Sequence, residues 1–352
     1  SGGAVSIFYL PGWLGAIKSA WGILAKPPLQ SAFFYLKRVQ KKIDETSHNY
    51  QAFYCHTLRL APYFIKAQEP GIAKRVFLDF NDAISLNYSI ASSEVKGVWR
   101  LLYGIEKKRL IRYETLLLDY FSHYSLLTRR DHGWMLENWK KSHPEKIEPE
   151  LEVIRYGMDD KILSYDYSPR TNNLVFIGNL EYAPNLQGLK KFCDLVWPQI
   201  RAIDPKRELL IIGRGGEKFG REKSGIRPLG FIADPHRLMS EQSALINPVT
   251  FGAGISTKSL LALGIGLPLI SAPTGLAGIE GAEGLDNVLM IDYDHPAETA
   301  KKIISFIADS AARIANSPKE KELASSLYLR SKNDELLIRS LEVLARPDEG
   351  RH

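Results

Sequence analysis

The sequence predicts an α/β fold with two domains, each built on a doubly wound parallel sheet. The first observation behind this prediction is length, because 352 residues are more than one domain usually holds. The second is the pattern of the second half, where short apolar runs that end at glycine alternate with helical segments. Such runs are typical of parallel strands that are buried on both faces.

The second half carries the clearest pattern of elements. We predict helices near 185–203 and 255–263 and through most of 295–344, where apolar residues recur every three or four positions. The apolar runs between them predict strands at 174–177, 209–212, 225–229, 244–246, 267–271 and 288–291.

The first half is less regular. Helical spacing extends over 12–24, 29–45 and much of 93–141, and the helix at 12–24 either packs on a sheet or lies on a membrane surface. Strands are predicted at 5–10, 50–55, 75–80, 120–128 and 151–155.

The expected domain boundary is the polar segment 166–173, which contains Pro169 and two asparagines. Residues 1–165 then form the N-terminal domain and residues 174–330 the C-terminal domain. A last helix in 331–352 is expected to pack back on the N-terminal domain.

Composition excludes several classes of protein. Cys55 and Cys193 lack CxxC spacing, which excludes a disulfide scaffold and a zinc ribbon and fits a reducing compartment. The whole net charge of +6 lies in residues 1–170, and it either attracts an anionic membrane or acceptor or arises by chance. The apolar start at 4–17 is too short to span a membrane. We therefore expect a cytoplasmic protein, with peripheral contact to the inner face of the membrane as one interpretation of the basic first half.

Three strand ends in the second half are candidates for ligand binding, because ligands of doubly wound sheets bind at the carboxyl ends of strands. Glycine and polar residues follow these strands at Gly178-Asn179, at Gly213 to Gly216 and at Phe251 to Gly254.

The last of these turns is the best candidate for a diphosphate. The run Gly252-Ala253-Gly254 lets the backbone approach a ligand, and Ile255 and Ser256 lead into a helix whose first N–H groups favour an anion. Lys258 adds a positive charge in the first turn. The alternative is a glycine turn with a purely structural role, since neither GxxxxGK[ST] nor GxGxxG occurs.

Arg214 follows a strand that ends in glycine, so its guanidinium is predicted to reach the same phosphates. A solvent-exposed loop arginine is the alternative.

Segments of the second half resemble family 4 (group 1) glycosyltransferases. Val175 to Asn185 is similar to the strand that opens their donor domain, and Leu210 to Gly215 is similar to their next strand. Pro248 to Pro268 resembles their "P…GAG…K…A…G.P" block, and Pro228 to Asp234 resembles their "G-x-v-x-D" element.

Two segments of the first half extend the resemblance. Ile154 to Asp159 is similar to the turn that ends the acceptor domain of the family. Phe77 to Ser85 resembles the "D-x-x-D-A-x-S" segment of a subfamily that makes bacterial surface polysaccharides. The six segments occur in the order found in the family, over roughly residues 50–300.

The resemblance implies the GT-B fold, in which two Rossmann-like domains face a cleft. The family usually has a strand and a glycine-rich loop some tens of residues before the point where this sequence begins, so an incomplete N-terminal domain is one expectation and a diverged, shorter enzyme is the other. The resemblance further implies a retaining transfer of a sugar from a UDP- or GDP-sugar donor to a hydroxyl of a glycan or lipid-linked acceptor, in the synthesis of cell-surface polysaccharide or glycoconjugate. Such enzymes usually need no metal, so no cofactor is expected besides the nucleotide sugar as co-substrate.

The resemblance also implies roles for residues of the second half. Lys258, Arg214 and the amides of Gly252 to Ser256 would neutralise the diphosphate as it leaves. Gly178 and Asn179 would face the sugar phosphate.

The catalytic candidates of the first half are His56, Arg59 and Asp82, with Asp79 as the acceptor-binding residue. His56 or Arg59 would contact the donor sugar or its phosphate, and Asp79 or Asp82 would orient the acceptor hydroxyl. The alternatives are an ordinary loop at 55–59 and a helix cap at Asp82. The histidines show neither HxH nor HExxH spacing and no GxSxG occurs, so neither a metal site nor a hydrolase triad is expected.

One departure from the family leaves a second function open. Leu261 stands where the family has a glutamate that binds the ribose hydroxyls, and leucine cannot accept those hydrogen bonds. The alternative function is a non-catalytic GT-B-like protein that acts as a partner or scaffold. Nucleic acid is not an expected partner, because no binding motif occurs and the excess charge is small.

Overall fold

The computed structural model describes residues 5–10, 28–94, 96–220, 224–252 and 254–346. The chain divides into two compact units, of which the second is Arg155–Asp334 and the first contains the residues before and after it. The predicted helix at 12–24 lies outside the described residues. The predicted strand at 5–10 is wrong, because these residues form no strand and Val5 and Ile7 are exposed, without a core to pack on.

The boundary between the units falls at Ile154 and Arg155, before the segment expected to be a linker. Residues 166–173 belong to the second unit. There the N–H of Ser168 donates to the carbonyl of Ser240 over 2.9 Å, and the N–H of Arg170 donates to that of Glu241 over 2.8 Å. The polar composition of this segment therefore reflects a surface loop bonded to its own unit, and the prediction of a linker at 166–173 is corrected.

The first unit contains a parallel sheet whose described strands run in the order β1-β2-β3-β4. All the residues of β2 are buried, as expected for a parallel strand covered on both faces. The strands are β1 Phe53–His56, β2 Val76–Asp79, β3 His123–Leu126 and β4 Glu152–Val153.

Two helices precede β1, and the others connect the strands of this sheet. Leu78, Phe80 and Leu117 belong to the main apolar cluster of this unit. The hydroxyl of Thr128 accepts a hydrogen bond from the N–H of Asp131 over 3.0 Å and so caps the last of the helices. They are α1 Leu29–Phe34, α2 Lys37–Thr46, α3 Pro62–Ile65, α4 Ile84–Glu94, α5 Val98–Tyr120 and α6 Arg129–Ser142.

The second unit contains a parallel sheet whose described strands run in the order β10-β9-β8-β5-β6-β7. The chain starts at β5, adds β6 and β7 on one side, and then returns to add β8, β9 and β10 on the other. The topological switch point therefore lies between β5 and β8, where such sheets bind ligands. The strands are β5 Leu174–Ile177, β6 Leu209–Ile212, β7 Ile226–Gly230, β8 Ala244–Asn247, β9 Leu269–Ser271 and β10 Val288–Met290.

Alternate residues of these strands enter two apolar clusters, as the two-residue period of a strand requires. Val175 and Leu210 lie in one cluster, whereas Leu174, Phe176 and Ile211 lie in the other. The sheet is thus covered on both faces.

Helices cover the two faces of this sheet. The helix predicted at 185–203 is divided at Val196, just before Trp197 and Pro198 open a new helix. The helices are α7 Ala183–Leu195, α8 Trp197–Ile203, α9 Pro235–Ser240, α10 Thr257–Ile265, α11 Pro273–Leu276, α12 Pro296–Ala308 and α13 Ser310–Leu327.

The last helix, α14 Arg330–Ala345, begins in the second unit, and its residues from Glu335 onwards belong to the first. Its Leu344 packs with Phe77 and Ile154 of the first unit. In the part of the chain that the structure describes, no helix combines the length and apolarity needed to cross a membrane.

Candidate functional site

The carboxyl ends of β5 and β6 touch through their backbones. Gly213 has φ +124°, and a Cβ atom built on it would lie 2.2 Å from the carbonyl oxygen of Gly178. A Cβ atom on Gly178 would lie 3.0 Å from the side-chain nitrogen of Asn185. Gly213 therefore requires glycine, whereas a side chain at Gly178 would need the Asn185 side chain to shift by a few tenths of an ångström.

Two helix N-termini, those of α7 and α10, are joined by one hydrogen bond at the switch point. Nζ of Lys258 donates to Oδ1 of Asn185 over 2.9 Å. The side-chain nitrogen of Asn185 donates in turn to the carbonyl of Asn179 over 2.9 Å. The structure thus brings together three predicted donor-site residues, namely Gly178, Asn179 and Lys258.

Lys258 carries its charge in an unusual setting. Burial lowers the pKa of its ammonium to about 8, and its partner Asn185 is neutral. Desolvation penalises the charged form of a lysine unless an anion compensates. A bound diphosphate is an anion that would do so.

The start of α10 has no side-chain cap, and the hydroxyl of Ser256 bonds to another residue. The amide nitrogen of Asn247 donates to Oγ of Ser256 over 2.8 Å and to Oγ of Ser259 over 2.7 Å. Ser256 is therefore a structural anchor of the turn, while the first N–H groups of α10 keep the partial positive charge of a helix N-terminus.

Of the two described glycines before α10, Gly252 is exposed and Gly254 is half-buried. Gly252 has φ +143° and Gly254 has φ +76°, and a Cβ atom on Gly254 would meet nothing within 4 Å. Ile255 packs against one of the apolar clusters of the second unit. Ala253, the remaining predicted residue of this turn, lies outside the described residues.

Arg214 lies beside an exposed carboxylate in the loop after β6. Its Nη1 lies 3.7 Å from Oε2 of Glu181, and both side chains are exposed. Its carbonyl accepts a hydrogen bond from the N–H of Leu180 over 2.9 Å. The loop after β6 is thus bonded to the loop after β5, while the guanidinium lies beside a carboxylate.

Leu261 is half-buried and packs against the apolar cluster that also contains Leu260 and Leu263. Leu261 is therefore a packing residue of this unit.

Two residues of this edge were not predicted. Asn185 was named only as the end of a resembling segment, although a polar residue directly after Pro184 in the first turn of a helix was a usable signal. Phe231 follows Gly230 at the end of β7 and is 93% exposed. The carbonyl of Gly230 accepts a hydrogen bond from the N–H of Gly213 over 2.8 Å, which extends the pairing of β7 with β6 to their carboxyl ends. Phe231 therefore lies directly after the carboxyl end of β7.

In the first unit, side chains meet at the carboxyl ends of β1, β2 and β3. The parallel register pairs His56 with Asp79, and Asp79 with Ser125. Nδ1 of His56 lies 3.1 Å from Oδ2 of Asp79, and Oγ of Ser125 donates to Oδ1 of Asp79 over 3.2 Å. Asp79 is buried, whereas more than half of the His56 side chain is exposed.

Tyr54 and Asn81 complete this cluster, and neither was predicted. The hydroxyl of Tyr54 donates to Oδ2 of Asp79 over 2.5 Å. The side-chain nitrogen of Asn81 lies 3.2 Å from Nε2 of His56. Because the amide nitrogen can only donate and the carboxylate can only accept, His56 is placed as the tautomer with its proton on Nδ1.

Backbone strain accompanies the same strand ends. Thr57 has φ +71° and Asn81 has φ +65°, which is the left-handed region that side chains rarely adopt. Such residues cluster at functional sites.

Asp82 and Arg59 have contacts outside the His56 cluster. Oδ2 of Asp82 accepts from the side-chain nitrogen of Asn87 over 2.6 Å. Burial raises the pKa of Asp82, and the nearby Asp131 carboxylate raises it further. The guanidinium of Arg59 lies 5.7 Å from the ring centroid of Phe34.

The start of α4 is held by two carboxylates other than Asp82. Oδ1 of Asp131 accepts the N–H of Ala83 over 3.1 Å, and Oε1 of Glu114 accepts the N–H of Ser85 over 3.0 Å. Burial raises the pKa of Glu114 to about 7. Asp131 and Glu114 thus take the capping role that sequence reasoning offered to Asp82.

Among the described residues, no three side chains of His, Cys, Asp or Glu are grouped so that they could hold a metal ion.

Comparison with known proteins identifies one segment. Residues 171–309 match the family described as glycosyl transferases group 1. No curated protein sequence matches the chain.

Solved structures resemble most of the chain. HepE of Anabaena in complex with UDP and glucose has 14% identity and a TM-score of 0.57, over 87% of this chain and 81% of its own. The pneumococcal O-GlcNAc transferase GtfA in complex with UDP and GlcNAc has 14% identity and a TM-score of 0.60, over 90% of this chain. OtsA, in an apo structure, has 13% identity and a TM-score of 0.59, over 87% of this chain and 76% of its own. The chain spans 61% of the length of GtfA.

These likenesses confirm the predicted fold of two Rossmann-like domains with parallel sheets. The chain has the GT-B fold, and its residues 171–309 match the family of glycosyl transferases group 1.

Proposed function

We propose that the protein is a glycosyltransferase that binds a nucleoside diphosphate sugar at the carboxyl edge of β5 and β8. The observation that carries this proposal is the half-buried Lys258, held by a neutral amide between two helix N-termini. The match of residues 171–309 to glycosyl transferases group 1 supports it.

The diphosphate would lie against Gly252, Gly254 and the first N–H groups of α10. There the helix dipole and the ammonium of Lys258 both favour negative charge. As the bond from the sugar to the diphosphate breaks, charge grows on the leaving oxygen. A positive group already in place lowers that barrier without reorganisation.

Uridine is the base we propose first, because the HepE structure contains UDP and glucose and the GtfA structure contains UDP and GlcNAc. The exposed ring of Phe231 offers a flat apolar face on which a base can stack. Arg214 would turn from Glu181 towards a phosphate, since the exposed pair is weak.

In the first unit, His56 and Asp79 are the groups we propose for the acceptor hydroxyl. With its proton on Nδ1, His56 directs the basic Nε2 towards Asn81 and solvent. An acceptor hydroxyl that replaced Asn81 would donate to that nitrogen. Asp79 would hold the ring in place and stabilise it when it gains the proton.

The finer features of the proposal follow the sequence resemblance. We propose a family 4 enzyme that retains the configuration of the sugar, works without a metal, and contributes to cell-surface polysaccharide or glycoconjugate. Proton NMR of the first product would give the configuration of the new bond, and full activity in excess EDTA would support metal independence.

The experiment that tests the proposal is thermal unfolding with UDP, GDP, CMP, ADP and their common sugar conjugates. A ligand that binds only the folded state raises its stability by about 2.7 kcal/mol at a hundredfold excess over Kd. We expect a concentration-dependent rise in Tm with a uridine or guanosine diphosphate and none with CMP. No rise with any nucleotide would contradict the proposal.

The packed position of Leu261 favours a second candidate, a non-catalytic protein that keeps the fold as a partner or scaffold. Leu261→Glu restores a carboxylate there. Tighter UDP binding in this variant would indicate that the ribose lies over residue 261 and that the native chain binds it weakly. Absence of nucleotide binding in both proteins would favour the scaffold.

A further inference from the structure

The first half of α5 has an apolar face that is turned to solvent. Leu110 and Leu117 of this helix are buried in the core of the first unit. A separate row of apolar side chains follows the spacing i, i+3, i+4 and i+7 along the helix. We name it the α5 stripe, and it consists of Val98, Leu101, Leu102 and Ile105, all of them exposed.

The exposure of the α5 stripe is large. Leu101 is 64% exposed and Leu102 is 45% exposed, and the neighbouring Trp99 is 62% exposed. A row with this spacing normally packs on a core. The described part of the chain leaves it open, so the stripe has the composition of a contact surface.

Within residues 96–112, which carry the α5 stripe, the exposed charged side chains are all basic. Glu106 is the only acidic residue between Lys96 and Arg112. It is buried, accepts the N–H of Leu29 over 2.7 Å, and lies 3.3 Å from the guanidinium of Arg109. The exposed charges on this stretch are therefore basic, and they are Lys96, Arg100, Lys108 and Arg112.

We propose that the α5 stripe docks on the surface of an anionic lipid bilayer. Its leucines would enter the boundary between headgroups and acyl chains, with Trp99 at the level of the headgroups. Lys108 and Arg112 would lie against lipid phosphates. A second copy of the chain suits this face poorly, because a symmetric contact would bring its basic side chains together. The proposal does not depend on the proposed enzymatic function.

The test is sedimentation of the whole protein with vesicles of equal parts phosphatidylglycerol and phosphatidylcholine, compared with vesicles of phosphatidylcholine alone. The protein should sediment with the anionic vesicles, remain mostly in solution with the neutral ones, and dissociate as salt rises. Equal binding to both vesicles, or binding to neither, would overturn the proposal.

Matched variants localise the contact. Leu102→Gln removes an apolar side chain that is 45% exposed, and Leu336→Gln on α14 removes one that is also 45% exposed. The first should lower the vesicle partition coefficient about tenfold and the second should leave it unchanged. Lys108→Gln should lower it about fivefold, whereas Lys302→Gln, an exposed lysine on α12, should not.

Other occupants of the face give distinct results. Dimerisation that Leu102→Gln abolishes in analytical ultracentrifugation, without vesicle binding, would assign the stripe to a second copy. A lower Tm for Leu102→Gln than for Leu336→Gln, again without vesicle binding, would assign it to a segment of this chain such as 11–27. Either result would overturn the proposal. Circular dichroism of each variant checks that it is folded.

Discussion

Lys258 and Asn185 are joined by a hydrogen bond of 2.9 Å, although 73 positions separate them in the sequence. The bond places a lysine with a lowered pKa against a neutral amide at the meeting point of α7 and α10. The described contacts of this ammonium, with the Asn185 amide and with the Phe176 ring at 5.9 Å, are both to neutral groups, so an arriving anion would stabilise its charge further and this pair is the centre of the proposed nucleotide site.

The first prediction concerns this pair. Lys258→Ala should weaken UDP binding by about 1–3 kcal/mol, the cost of a lost charged hydrogen bond. Asn185→Asp should weaken it comparably, because the new carboxylate would neutralise Lys258 and repel the phosphates. Calorimetry measures both affinities, and Lys190→Ala, an exposed lysine of α7, is the control. Unchanged affinity in Lys258→Ala would remove this residue from the site.

The second prediction concerns pH. The pKa of Lys258 is about 8 in the free protein, and a bound diphosphate raises it by favouring the charged form. The affinity for a UDP-sugar should therefore be constant well below pH 8 and fall as pH rises through 8. Its decline should approach about tenfold per pH unit.

Binding near pH 8.5 should then take up protons, which calorimetry in buffers of different ionisation enthalpy detects. Lys258→Ala is the control and should lack this uptake. An affinity that does not change between pH 7 and pH 9 would contradict the role assigned to the ammonium.

The third prediction is the tautomer of His56. Because Asp79 accepts at Nδ1 and Asn81 donates at Nε2, the proton should reside on Nδ1. Long-range nitrogen–proton NMR on protein with labelled histidine distinguishes the two tautomers, and Asp79→Ala should shift His56 towards the Nε2 form. A native His56 with its proton on Nε2 would refute the arrangement.

The fourth prediction compares two glycines. Gly213→Ala should lower the free energy of unfolding by about 3 kcal/mol or more, because the new Cβ atom would lie 2.2 Å from the carbonyl of Gly178. Gly230→Ala should cost only about 1–2 kcal/mol, since its φ is +66° and nothing lies within 4 Å. Urea unfolding of both variants measures the difference, and equal costs would show that the strand ends can separate.

The fifth prediction concerns Glu114. Burial raises its pKa to about 7 in the folded protein, from an ordinary value of 4.5. Between those values the folded state binds more protons than the unfolded state, so this carboxyl favours folding at low pH and loses that contribution as pH rises towards 7. The loss is about 1.4 kcal/mol per pH unit in that window.

Glu114→Gln should therefore flatten the pH dependence of stability and exceed the native protein in Tm at pH 8. The amide can still accept the N–H of Ser85, which makes it the appropriate substitution. Identical profiles from pH 5 to pH 8 would show that Glu114 does not titrate there.

The local sequence was enough to predict the bounds of a strand where an apolar run ends at a glycine. The strands at 174–177 and 209–212 lie where predicted, because four apolar residues before a glycine leave little choice of bounds. The predicted strand at 5–10 was wrong because its apolar residues do not pack on a core. The predicted linker at 166–173 was wrong because this polar segment forms hydrogen bonds with its own unit.

Some contacts among the candidate site residues could be predicted from the sequence, and others could not. Gly178, Asn179 and Lys258 come together because each follows or faces a strand end of one sheet, which the alternation of strands and helices indicates. The contact of His56 with Asp79 depends on the register of β1 against β2, which neither strand specifies alone. The salt bridge of Arg214 with Glu181 depends on loop backbone, which periodicity does not describe.

The backbone contact between Gly178 and Gly213 has a consequence for selectivity. At Gly178 and Gly213 themselves, β5 and β6 can present only peptide groups to a ligand, and peptide groups are the same for every nucleotide. Discrimination between bases and sugars must then come from side chains beyond these glycines, above all from the loops after β7 and β8. Exchanging the loops after β7 and β8, while Gly178 and Gly213 are kept, is therefore the way to change which donor sugar this fold binds.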